Sequence, residues 1–252
     1  MKKIFIISLL ISQIFVSFGQ EMKTKKKKFD TREGTATFYV LASNDTVKQG
    51  EYKIKAYTGN RILLKGTYNN NKKVGLWEEQ YYGKAYKGPK ATGYYENDIK
   101  IGDWTYFNYE GDIVLIYNWT ENIVVFSKLC GTDTKEYTII EDGKENKSKL
   151  DCPPTCMTGR EYFLYEFMRD IGEEAKYFEK VGNEFYQLKT KISITIDKNS
   201  TITDISYSTD EKKELKEIIE RFVKSYKWIP GKKDGKDLTA KFEFSVILSS
   251  QY

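Results

Sequence analysis

Three cysteines and no histidine set the limits on the chemistry of this chain. Without an imidazole there is no Ser-His or Cys-His nucleophile pair and no histidine general base. Zinc sites built on histidine are excluded for the same reason. Catalysis by carboxylates alone would need a paired acidic set, and none stands out. The sequence therefore assigns no catalytic residue, no metal and no other cofactor, and it reads as non-enzymatic. The remaining chemistry is that of Cys130, Cys152 and Cys156. Three thiols allow three single pairings and leave one over. Pro153 and Pro154 stiffen the short loop between Cys152 and Cys156 and oppose closure there. Cys130 bonded to either of the others would staple the middle of the chain, and a fully reduced set is the alternative. A three-thiolate metal site is a weak reading, because Cys-x-x-x-Cys is common by chance.

A disulfide needs an oxidising compartment, and the first 19 residues supply an address. Lys2 and Lys3 precede an apolar run from Ile4 to Phe18, and Ser17-Phe18-Gly19 offers small residues for cleavage before Gln20. The run is shorter than the roughly 20 residues a membrane-spanning helix needs. A cleaved export signal and a periplasmic protein are expected, with an outer-membrane-associated or inner-membrane-anchored protein as alternatives. Removing Lys2 and Lys3 lowers the net charge from +5 to +3. That is too little for a nucleic-acid footprint. Residues 20–30 include Lys23 and Lys25 to Lys28 and read as a basic, solvated leader. It is suited at most to peripheral contact with anionic headgroups.

Residues 31–127 carry an internal repeat. Gly66-Thr67-Tyr68 recurs as Gly93-Tyr94-Tyr95 and Gly75-Leu76-Trp77 as Gly102-Asp103-Trp104, both 27 residues on. Gly50-Glu51-Tyr52 is a weaker early copy. The polar, Asn-containing stretches between the aromatic segments predict hairpin turns. One hairpin cannot bury its own face, so stacked hairpins sharing a stripe of aromatics are expected. Tyr52, Gly75, Trp77, Gly102 and Trp104 are then repeat-packing residues. This pattern resembles the MORN-type repeats of bacterial envelope proteins.

Residues 128–157 hold all three cysteines and a polar stretch, Glu141 to Lys149, and read as a linker with one short strand at 136–140. From Thr158 to the end a second domain is expected. Thr158 and Glu161 have capping-box spacing, and a helix follows that Gly172 could break and Gly182-Asn183 would end. Ile192, Ile194 and Ile196 alternate as a strand does, and the return strand slips phase between Ile202 and Ile205. Ser208 and Glu211 suggest a second capping box. Leu215, Ile218, Ile219, Phe222, Val223 and Tyr226 make one helical face. A last alternating strand follows Trp228-Ile229-Pro230-Gly231 and Gly235-Lys236.

That order resembles the C-terminal domain of TonB-family periplasmic proteins. With the repeats it predicts an α+β chain: an all-β hairpin array, then a two-helix, three-strand antiparallel layer over 158–252. The resemblance implies a partner bound as an added strand, an envelope protein or outer-membrane receptor peptide. Its docking edge would be the last strand, at Leu238, Lys241, Phe242, Glu243 and Phe244. A full energy transducer of that family needs an intramembrane histidine and a Pro-rich spacer. The chain has no histidine and four prolines. The expected function is non-catalytic protein or peptide binding. A TonB-type transport component and a purely structural repeat protein are the alternatives.

Overall fold

The computed structural model of the chain describes residues 22–58, 60–83, 88–180, 187–209 and 213–249. The export segment, Gln20, the Gly182-Asn183 helix stop and Glu211 of the second capping box lie outside these residues. Nine strands follow one another as an antiparallel meander. They are β1 (Thr24–Asp30), β2 (Gly34–Leu41), β3 (Lys48–Ala56), β4 (Ile62–Asn69), β5 (Lys72–Gln80), β6 (Pro89–Glu96), β7 (Ile99–Phe107), β8 (Ile113–Asn118) and β9 (Ile123–Ser127).

Two hairpins of this sheet, β4-β5 and β6-β7, close with two-residue turns. Asn70-Asn71 and Asn97-Asp98 all take positive φ, between 48° and 71°. That is the backbone a type I′ hairpin demands, and Asn and Asp tolerate it. Each turn also grips the preceding hairpin. Asn71 Oδ1 accepts from the Lys48 N–H at 2.7 Å, and Asp98 Oδ1 from the Lys73 N–H at 2.8 Å. The turn N–H groups of Asn71 and Asp98 donate back to the carbonyls of Lys48 and Lys73.

The remaining strands are β10 (Glu136–Glu141), β11 (Lys144–Lys149), β12 (Thr155–Cys156), β13 (Gln187–Ile196), β14 (Ile202–Tyr207), β15 (Trp228–Ile229), β16 (Gly231–Lys233) and β17 (Lys236–Ser249). The helices are α1 (Arg160–Lys180) and α2 (Lys213–Lys224). A second sheet runs β11-β10-β17-β13-β14, with β16 paired to β17, and β12 pairs β15. Phe163, Phe167 and Ile171 of α1 and Leu215, Ile218, Ile219 and Val223 of α2 close one core with the strands. Ile192, Ile194, Ile196, Phe242, Phe244 and Val246 supply the sheet side of it, and Trp228 completes it. The phase slip in β14 is a bulge, since Thr195 faces Asp204 but Ile196 faces Ile202.

Several expectations are corrected. The chain is not a balanced α+β protein with a TonB-like C-terminal layer. It is mostly antiparallel sheet, 57% strand against 12% helix, dominated by the nine-stranded array. The second sheet has six strands rather than three. The short strand expected at 136–140 is β10, and the rest of the segment read as a linker adds β11, whose charged residues hide it. The basic leader contains strand β1, paired along its length with β2. Its lysines are the solvent-facing coat of an edge strand. Helix α1 runs through Gly172 without a break. The Thr158 hydroxyl lies 2.8 Å from Cys156 Sγ, and no capping-box bond to Glu161 forms among the described residues.

A buried polar joint holds α1 on the nine-stranded sheet. Lys90 Nζ lies 3.2 Å from Glu79 and 2.7 Å from Glu166, which also pairs with Arg169. The Tyr162 hydroxyl donates to Glu79 at 3.1 Å. Such a cluster fixes orientation more than it adds stability, because desolvating the charges offsets much of their attraction.

Candidate functional site

The strand expected to be a docking edge is paired on one side from Ala240 to Ser249 and on the other only from Lys236 to Ala240. β17 pairs with β13 along Ala240–Ser249. On its other side it meets β16 at Leu238 and β10 at Thr239 and Ala240. Phe242 and Phe244 are core residues. Lys241 is ion-paired with Glu145, and Glu243 with Lys191. The Arg160 guanidinium donates to the Glu243 carbonyl at 2.9 Å, which occupies the backbone just past the β10 contact. Nothing local in the sequence reveals that the 136–149 hairpin pairs at Thr239 and Ala240.

Among the described residues the strands at the ends of the two larger sheets are β1, β9, β11 and β14. Three of them carry charge in the strand itself. β1 holds Lys25 to Lys28, β11 holds Lys144, Lys147 and Lys149, and β14 holds Asp204. β9 has none. Its Ile123, Val124, Val125 and Phe126 are each between 37% and 51% exposed. Tyr117 faces Val124 and Ile116 faces Phe126, so Val125 is the extra residue of a bulge. The bulge breaks the flat ladder and sets the register of anything added there. An exposed apolar edge without gatekeeping charges is where another strand can pair.

Beside β9 lies a groove of about 430 Å³, lined by Tyr117, Val124, Cys130, Cys152, Pro230 and other side chains. Cys130 and Cys152 form a disulfide, one of the pairings left open by the sequence. It ties the chain just after β9 to the segment entering β12. Cys156 is free and buried, and burial pushes its thiol up to about 12. It is a core residue without thiolate reactivity. No group of three or more metal-ligating side chains is found among the described residues.

The repeat-packing residues come together as one aromatic face. Trp77 and Trp104 are buried, and each stacks over a glycine of the neighbouring strand. A Cβ on Gly66 would lie 2.2 Å from the Trp77 ring, and one on Gly93 2.3 Å from Trp104. Tyr52 packs at 6.0 Å from Trp77. Gly75 and Gly102 take φ of 67° and 56°, a left-handed conformation that only glycine enters freely.

A lysine two residues before Gly50, Gly75 and Gly102 is part of the same repeat. Lys48, Lys73 and Lys100 each place their ammonium over aromatic rings, at 4.9 Å from Tyr68, 4.7 Å from Trp77 and 3.9 Å from Trp104. Lys-x-Gly at one-repeat spacing was the available sequence signal. Burial pushes the Lys100 amine down to about 8, although Glu79 pulls it the other way. At the joint, burial pushes the Glu79 carboxyl up, but Lys90 and Lys100 outweigh it and hold it below the usual range. Burial likewise works against the charge on Lys90, and Glu79 and Glu166 more than reverse it.

No protein-family model, curated protein or solved structure matches the chain. No helix among the described residues is long and apolar enough to cross a membrane.

Proposed function

We propose that this chain is an exported, non-catalytic envelope protein that binds an extended apolar segment of a partner protein by adding it as a strand to β9. One observation carries this: β9 alone among the end strands joins an unpaired side to four exposed apolar residues and no charge. Main-chain hydrogen bonds would supply affinity, and the groove beside Tyr117 and Val124 would select side chains. The export pattern of residues 1–19 supports a periplasmic setting, and the MORN-like repeat supports an envelope role. The absence of histidine from the sequence supports binding over catalysis.

The test is capture of partners from envelope extract by the full mature chain. Val125→Lys places a charge on the open edge, and Leu76→Lys is the control on an exposed position elsewhere in the sheet. The same partner on wild type and Leu76→Lys, lost from Val125→Lys, is the expected result. A concentration-dependent dimer that Val125→Lys abolishes would replace the partner with a second copy. No partner and no dimer would leave a structural array.

A further inference from the structure

The hairpin-end rim of the aromatic face alternates cation and ring from strand to strand. In order across the sheet it carries Lys48 on β3, Tyr68 on β4, Lys73 on β5, Tyr95 on β6, Lys100 on β7 and Trp119 after β8. The register makes neighbours of these residues, with Tyr68 opposite Lys73 and Tyr95 opposite Lys100. Lys48 lies 4.9 Å over Tyr68, Lys73 4.9 Å over Tyr95 and Lys100 5.1 Å over Trp119. Lys227 also lies 5.7 Å over Trp119. None of these four ammonium groups takes part in an ion pair among the described residues. The nearby Asp98 carboxylate is engaged by the Lys73 N–H. Tyr68, Tyr95 and Trp119 are only partly buried, so ring surface remains between the charges.

Successive lysines of the row sit two strands apart, which puts their backbones on the order of 10 Å from one another. A ligand matched to that row is linear, carries sparse negative charge, and has flat apolar faces to lay against tyrosine and tryptophan. Nucleic acid does not match, because duplex DNA presents a charge about every 1.7 Å. An acidic polysaccharide does: its charged sugars can alternate with neutral ones, and the C–H faces of its rings stack on aromatics. We propose that this rim is a binding site for an acidic polysaccharide, with the lysines facing its carboxylates or sulfates and the rings carrying its sugars. The site is distinct from the β9 edge, and either can fail alone.

The probe is a hyaluronan octasaccharide, which bears one carboxylate on alternate sugars, titrated into the full mature chain by calorimetry. A chitin oligosaccharide of equal length is the neutral control, and a short oligothymidine is the dense polyanion. The expected result is binding of hyaluronan that weakens at least tenfold in Lys48→Gln/Lys73→Gln. Lys65→Gln, whose lysine pairs with Glu78 on the other face, should stay within twofold. Because the double variant could lose stability, the unchanged protein gives a second readout. Hyaluronan should protect Lys48 and Lys73 from acetylation and leave Lys65 reactive. No hyaluronan binding, equal binding of chitin, tighter binding of oligothymidine, or protection of Lys65 in place of Lys48 and Lys73 would each overturn the assignment.

Discussion

Each buried tryptophan of the array stands on a glycine. Trp104 donates from Nε1 to the Tyr94 carbonyl at 3.0 Å and leaves no room for a Cβ at Gly93. Trp104→Ala should therefore cost about 3–5 kcal/mol in urea unfolding. Gly93→Ala should cost about 1–3 kcal/mol by overpacking. The two are halves of one contact, so Gly93→Ala introduced into Trp104→Ala should cost much less than it does alone. Additive losses would mean that Gly93 matters for its backbone and not for the ring above it. Lys100 yields a second prediction at this scale. Its folded pKa lies near 8, below the ordinary lysine value of about 10.4. Below pH 8 both states hold the proton, and the burial cost is full. Above pH 8 the folded state releases the proton while the unfolded chain keeps it, so stability rises with pH. A gain of about 1 kcal/mol between pH 7.5 and 9.5 is expected, allowing for the partial exposure of the side chain. Lys100→Met should flatten that slope in unfolding curves taken across the same range.

Elements show how far local pattern reaches. The helical spacing of Leu215, Ile218, Ile219 and Val223 places all four in the core. The alternation of Ile192, Ile194 and Ile196 does the same on β13. Pattern failed where an element is polar on most sides. β1 and β11 are lysine-rich, and only pairing with a neighbour makes them strands. It failed again at Thr158, whose hydroxyl meets Cys156 instead of capping α1. The disulfide acts at this scale too. It closes a 22-residue separation between the end of the array and the strand before α1. Chain-entropy reasoning assigns it about 3 kcal/mol. Cys130→Ser should lower the denaturant midpoint by that much at constant m-value, and added reductant should reproduce the loss in wild type without further effect on the variant.

Across the whole molecule, the two sheets meet through α1 and the Glu79–Lys90–Glu166–Arg169 joint. Lys90 is 8% exposed, so Lys90→Met leaves two buried carboxylates short of a partner. A loss of about 3–5 kcal/mol is expected. The sign of the acid dependence follows from Glu79. Its folded pKa is held below the unfolded value of about 4.3, so its stabilisation is present above that pH and disappears as pH falls through the folded pKa. Lys90→Met removes the main cation that depresses it, and the acid-side slope of stability should shrink with it. An unchanged acid limb would locate the pH sensitivity in other carboxylates.

The sequence by itself determined the hairpin array, because a 27-residue period of glycine, aromatic and Asn-rich turn is a local instruction repeated in order. It also determined the absence of histidine chemistry and the amphipathic faces of the C-terminal elements. The tertiary structure alone decided which strands are edges, which cysteines bond and which lysines lie over rings. Edges depend on pairing between segments far apart in the chain, as when residues 139 and 140 meet 239 and 240 and cover the first part of the last strand. Side-chain alternation reports which face of a strand is buried and carries no information about the backbone groups in its plane. The docking edge proposed on β9 rests on the same kind of information, since its apolar residues have no local feature to mark them as the end of a sheet.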